Sequence, residues 1–163
     1  MLIWIPSEED PVEELYDRYA VMLYRLALSM MKTREDAEDV VQSVFEKYVL
    51  HPHLFLSGEH EKAWFLRVTM NQCKDALRRR NLRQGVSLDD AVEVGVCDVH
   101  SEVQDILDKL PEDYRMPLVL YYFEECKIEE IAAALRLSAS AVKMRLKRGR
   151  DMMKKELEGG REA

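Results

Sequence analysis

The side chains with the most chemistry to offer in this sequence are cations, and they are gathered into two islands. Residues 67 to 83 carry six bases (Arg67, Lys74, Arg78, Arg79, Arg80, Arg83) against Asp75 alone, and residues 143 to 155 carry seven against Asp151. Guanidinium and ammonium groups at that density suit phosphates, and in a major groove they can donate to guanine edges. Carboxylates are concentrated elsewhere. Residues 7 to 46 hold eleven acids against four bases, and residues 84 to 113 hold nine acids against Lys109. A formal net charge of −7 argues at first sight against nucleic acid, but it averages over regions of opposite sign. A lone charged block is commonly no more than a solvated face; two basic blocks, each on a predicted helix, weaken that reading.

Other chemistries find little support. His51, His53, His60 and His100 form no helical pair at metal-ligand spacing, Cys97 and His100 fall in or near a predicted linker, and no phosphate-binding glycine loop occurs. No metal site, cofactor or catalytic residue is expected. The three cysteines, Cys73, Cys97 and Cys126, are odd in number, far apart and set in or beside apolar runs, which predicts a reduced, cytoplasmic protein. The opening Leu2-Ile3-Trp4-Ile5-Pro6 lacks a basic start, is too short for a signal-peptide core and runs into Ser7-Glu8-Glu9-Asp10. Neither a signal peptide nor a membrane insertion is predicted.

The elements that must position these charges read as helices throughout. Apolar residues recur at helical spacing and no alternating run is long enough for a strand, so the fold class is all-α, two small helical domains joined by an acidic linker. A first helix over about 10–31 places Leu15, Tyr19, Met22, Leu26 and Met30 on one face. Thr33 offers an N-cap for a second over about 34–49, with the stripe Ala37, Val40, Val41, Val44, Phe45 and Tyr48 and acids around it. Residues 51–58, with Pro52 and Gly58, form a loop. A third helix, about 59–83, turns Leu66, Met70, Cys73 and Leu77 inward and ends in the first basic island. Residues 84–98 lose the helical period and form the linker between domains at 7–83 and 99–158.

In the second domain Val103, Ile106, Leu107 and Leu110 mark a short helix that stops at Pro111. The next element, about 112–124, contains Pro117, which either kinks the helix or delays its start. Residues 128–143 then have the layout of a helix-turn-helix. Ile128, Ile131 and Leu135 form the first inner face, Ala132 is small at the crossing, Leu137 plugs the turn, and Ser138 or Ser140 caps the second helix. That helix buries Val142, Leu146, Gly149 and Met153 and leaves Lys143, Arg145, Lys147, Arg148 and Arg150 outside, suited to a major groove. Arg136 stands where such turns commonly use glycine; a left-handed backbone there costs arginine about 1 kcal/mol.

Across nearly its whole length the chain resembles the extracytoplasmic-function sigma factors of bacterial RNA polymerase. The string Asp36-Ala37-Glu38-Asp39-Val40-Val41-Gln42-Ser43-Val44-Phe45 is similar to that family's polymerase-binding helix. Residues Ala63-Trp64-Phe65-Leu66-Arg67-Val68-Thr69-Met70-Asn71, followed by Asp75, resemble its minus-ten reader, and Leu110-Pro111-Glu112-Asp113-Tyr114-Arg115 the opening of its second DNA-binding domain. The resemblance implies a factor that directs core polymerase to promoters and assists their opening, without catalysis of its own.

By the same resemblance, Asp36, Asp39 and Gln42 contact the clamp of the polymerase largest subunit, where carboxylates suit a basic surface. The loop at 51–58 would hold a flipped base of the minus-ten element, which needs an apolar or stacking wall and polar groups for the base edge; His53, Phe55 and Ser57 are chemically capable, and Phe55 equally suits a core plug. Arg67, Asn71, Lys74, Arg78 and Arg79 would follow the strand, whereas Trp64 is better suited to the core than to stacking. In the second domain the implied minus-thirty-five contacts are Ser140, Lys143, Met144, Arg145, Lys147 and Arg148. Met144 departs from the small hydroxyl residue common there and offers only apolar contact. Most members are held inactive by an anti-sigma protein, often membrane-anchored, so such a partner is implied beside polymerase core and promoter DNA. A rival reading, a helix-turn-helix regulator acting without polymerase, accounts for the C-terminal half only.

Overall fold

The computed structural model describes residues 11–52, 54–84 and 102–161. Its regular elements are helices: α1 (Pro11–Met31), α2 (Arg34–Leu50), α3 (Gly58–Gln84), α4 (Glu102–Lys109), α5 (Glu112–Leu118), a π-helical turn over Val119–Phe123, α6 (Ile128–Leu135) and α7 (Ala139–Arg161). Contacts divide the chain into two compact units, Met1–Cys97 and Asp98–Ala163. The expected linker lies, apart from Gln84, outside the described residues, as do Cys97 and His100.

In the first unit α1 packs on both α2 and α3, and α2 on α3. The junction between α1 and α2 is sharp because Lys32 takes a left-handed conformation (φ 70°), with its N–H returning to the Leu28 carbonyl at 2.9 Å. Thr33 then caps α2 as its sequence position predicts, its Oγ1 accepting the Asp36 N–H at 3.0 Å. All six apolar positions of the predicted α2 stripe are buried. They share the core of this unit with the buried Leu15, Tyr19, Leu23 and Leu26 of α1 and Phe65, Leu66, Met70 and Cys73 of α3. Met22 and Leu77, expected inside, are only half-buried. Rings concentrate at one end: Phe65 lies 4.9 Å from Tyr19, 5.4 Å from Phe45 and 5.8 Å from Tyr48, centroid to centroid. Burying such a side chain stabilises the fold by about 2–3 kcal/mol, with a further increment from ring pairing.

In the second unit α7 is the spine against which α4, α5 and α6 pack. Gly149 explains how α5 approaches so closely, since a Cβ there would stand 2.8 Å from Leu118 Cδ1 and 3.3 Å from the Tyr114 carbonyl oxygen. Helix α5 does not start late at Pro117. It begins at Glu112, runs through the buried proline, and widens into the π turn at Val119. The proline has no N–H for the Asp113 carbonyl, so one helical bond is missing there. Beyond the turn Glu125 is left-handed (φ 52°), and the Cys126 N–H closes on the Leu120 carbonyl at 2.9 Å.

Candidate nucleic-acid interface

The geometry of α3 begins at its first turn. Ser57 Oγ accepts the His60 N–H at 3.1 Å, and the Ser57 carbonyl accepts the Glu61 N–H at 3.0 Å, so this candidate for a base contact also caps the helix. Phe55 is 1% exposed and packs against Tyr48, Trp64 and Phe65, which makes it a plug of the core. Trp64 is half-buried with its ring edge-on to Phe65 at 4.9 Å, in keeping with the core reading. His53 lies outside the described residues.

A helix turns by 100° per residue, so Arg67, Asn71, Lys74 and Arg78 fall within one narrow stripe of α3. Asn71, Lys74 and Arg78 are exposed, and Arg67 is half-buried. Arg79 does not belong to that stripe. It lines a cavity with Arg80 and Arg83 on the side facing α2, where Asp36 and Asp39 are also found. Arg80 Nη2 lies 2.5 Å from Asp36 Oδ2. Of the three polymerase candidates, therefore, Asp36 is already engaged within the fold, Asp39 lines the same cavity, and Gln42 is exposed, its Nε2 donating to Glu46 at 3.0 Å.

Sequence reasoning did not single out Glu61. Its side chain is fully buried, and its Oε1 accepts from the Tyr19 hydroxyl at 2.6 Å and from Arg18 Nη1 at 2.8 Å. The signal was available, because Glu61 precedes Phe65 by one helical turn on the same inner face. Burial, reinforced by the bond to Glu61, holds the Tyr19 hydroxyl far above its ordinary pKa. Burial likewise pushes the Cys73 thiol up to about 12, which leaves it protonated and unreactive at neutral pH.

The helix-turn-helix is formed by α6 and α7. Glu130 Oε2 accepts the Lys127 N–H at 2.8 Å at the start of α6. Arg136 closes that helix in the left-handed region (φ 56°, ψ 48°), with the Leu137 N–H returning to the Ala132 carbonyl at 2.9 Å. Between the two candidate caps of α7 it is Ser138 that acts, its Oγ accepting the Ala141 N–H at 3.1 Å. Ser140 is thereby left exposed together with Lys143, Met144, Lys147 and Arg148 on one outward face, while Val142, Leu146 and Gly149 are buried on the other. Arg145 is half-buried beside that face, its Nη1 3.5 Å from Asp113 Oδ1 of α5, and Arg150 donates to the Tyr122 hydroxyl at 3.3 Å.

A helix-turn-helix with a cationic outer face in one unit, and a cationic helix stripe in the other, are features of a DNA-binding protein. The chain belongs to the RNA polymerase sigma factors of the extracytoplasmic-function group. Residues 15–83 match the Sigma-70 region 2 family and residues 100–153 match Sigma-70, region 4. It is 32% identical to the RNA polymerase sigma factor SigV of Bacillus subtilis over 82% of this chain and 83% of that protein. It is 30% identical to the extracytoplasmic-function sigma factor SigM of the same organism, over 88% and 93%. Among solved structures it is similar to the sigma factor RpoE of Bartonella quintana, crystallised with the anti-sigma factor NepR (TM-score 0.72, 21% identity, 90% of this chain and 96% of that one). It is also similar to CnrH, solved with the cytosolic domain of CnrY (TM-score 0.68, 25% identity, 94% and 91%). Its role is that of a sigma factor, which is non-enzymatic: nucleotide transfer belongs to the polymerase. No described helix is long and apolar enough to cross a membrane.

Proposed function

We propose that residues 7–83 dock on the clamp of the polymerase largest subunit and read the minus-ten element, and that residues 99–158 read the minus-thirty-five element. The observation that carries this reading is the placement of charge. The stripe Arg67, Asn71, Lys74 and Arg78 leads from the end of the loop at 51–58, and the Lys143, Lys147 and Arg148 face lies on the second helix of a helix-turn-helix. Phosphates are met by the arginines and lysines of both readers, and base edges by Asn71, Ser57 and His53 in the first, Ser140, Lys143 and Arg148 in the second. Arg145 sits at the margin of the second face and Arg79 outside the first stripe, and both contribute field more than direct contact. Asp39 and Gln42, with Asp36, supply the acidic surface for the clamp. The protein works in the cytoplasm, and its two units are the surfaces on which an anti-sigma protein, often membrane-anchored in this family, would hold it inactive.

The test is promoter selection and opening with purified protein, core polymerase and genomic DNA fragments. Opened promoters enriched only when both protein and core are present support the reading. Selective duplex binding by the protein alone, unchanged by core, would overturn it in favour of a free-standing regulator.

A further inference from the structure

Where the chain passes from α2 to α3, Leu54 and Leu56 are exposed on either side of the buried Phe55. Beyond Phe55 it is tied to the first turn of α3. The Leu56 N–H donates to His60 Nδ1 at 3.4 Å, the His60 N–H to Ser57 Oγ at 3.1 Å and the Glu61 N–H to the Ser57 carbonyl at 3.0 Å. The His60 ring stands edge-on to Phe55, centroids 6.0 Å apart. Through Glu61 the same turn is fixed to α1, since Oε1 accepts from Tyr19 and Arg18. Oε2 is equally buried and has no hydrogen-bond partner among the described residues. A buried carboxylate served on one oxygen adds little stability over an apolar side chain of similar volume. What it does supply is a fixed direction of approach between two helices.

We propose that His60 and Glu61 are positioning residues for recognition of the minus-ten bases: without touching a base themselves, they hold Leu56 and Ser57 in one place relative to α1. The inference rests on the minus-ten role proposed above. Groups that discriminate between bases must be held within roughly 0.5 Å of their working places. A loop that each base had to order for itself would give up part of that discrimination to the entropy of ordering. His60 sets the loop on the turn, and Glu61 sets the turn on the core. Glu61 is fully buried and has no access to DNA, and the Nδ1 of His60 is already given to the Leu56 N–H. Both therefore act through the backbone at 56–57.

The experiment uses the full chain bound to core polymerase and a promoter enriched in the selection described above, with each base of its minus-ten element changed in turn. A well-read base pair is preferred about tenfold or more over a mismatch. In His60→Ala that preference is expected to fall to about twofold at the positions the loop reads, while the minus-thirty-five preference stays as it was. The slope of log affinity against log salt, which counts phosphate contacts, should not move. Asparagine places its amide oxygen near the site of Nδ1, so His60→Asn is expected to restore the preference. Glu61→Gln, which keeps an acceptor for Tyr19 but no charge for Arg18, should fall between wild type and His60→Ala. A merely structural role would lower the unfolding temperature and the active fraction for every promoter alike, with base preference intact, and that result overturns the proposal. A flattened salt slope in His60→Ala overturns it too, by making His60 a phosphate contact. If the wild-type complex itself shows no preference in the minus-ten element, the promoter-reading role falls and the positioning role with it. A wild-type preference that His60→Ala retains in full removes the positioning role alone.

Discussion

Glu61 and Cys73 show what single side chains do beneath the cationic stripe of α3. A carboxylate with no exposed surface is tolerated because Tyr19 and Arg18 both donate to its Oε1. Glu61→Ala would leave the Tyr19 hydroxyl buried without that acceptor, and the expected loss is about 1–3 kcal/mol, read from the denaturant midpoint of the first unit's unfolding. Promoter opening should weaken in the same variant, since Glu61 fixes the first turn of α3 to α1. Cys73 acts through pH. Its folded pKa is raised by burial from 9.0 to about 12, so the fold favours the protonated thiol. The stability this contributes is complete below pH 9 and is lost as pH rises toward 12. Tyr19 is shifted in the same direction, also chiefly by burial. Circular dichroism should therefore show an alkaline loss of helix beginning above pH 9, and that limb should shrink in Cys73→Ala.

Among the elements, α7 is held by one close crossing and positioned by one strained turn. A methyl at Gly149 would meet the Leu118 side chain at 2.8 Å, and the neighbouring Tyr114 carbonyl leaves no room to retreat. Helix propensity favours alanine by up to about 1 kcal/mol, whereas overpacking costs about 1–3 kcal/mol, so Gly149→Ala should destabilise the second unit. A thermal melt in which Gly149→Ala equals or exceeds the wild-type midpoint would contradict this crossing. At the other end Arg136 occupies the left-handed region that glycine fills at no steric cost, and its strain sets the angle at which α7 leaves α6.

For the molecule as a whole, segregation of charge matters more than its sum. The net charge of −7 keeps non-specific attraction to DNA low, while Lys143, Lys147 and Arg148 remain concentrated where α7 is exposed. Lys147→Ala should lower affinity for duplex promoter DNA roughly equally across sequences and reduce the salt slope of the polymerase complex by about 0.9. A change of preferred sequence with an unchanged slope would reassign Lys147 from phosphate to base contact.

Much of this architecture was legible in the residues. Periodicity identified the α2 stripe completely because that helix packs on both α1 and α3 with a single apolar face. Thr33 and Arg136 were readable because capping and the left-handed turn depend on local geometry alone. What sequence could not decide depended on neighbours distant in the chain. Ser138 and Ser140 are equivalent as caps until the entry angle of α7 is fixed, and Phe55 serves base pocket or core equally until Tyr48, Trp64 and Phe65 surround it. The separation of Arg80, paired with Asp36 of α2, from the outward cationic stripe needed the packing of α3 on α2, since 44 residues separate Arg80 from Asp36. Composition and spacing determined which charges the protein carries and on which helices; only tertiary packing decided which of those charges face solvent and which already answer one another, because a side chain's electrostatic partner is set by proximity in space.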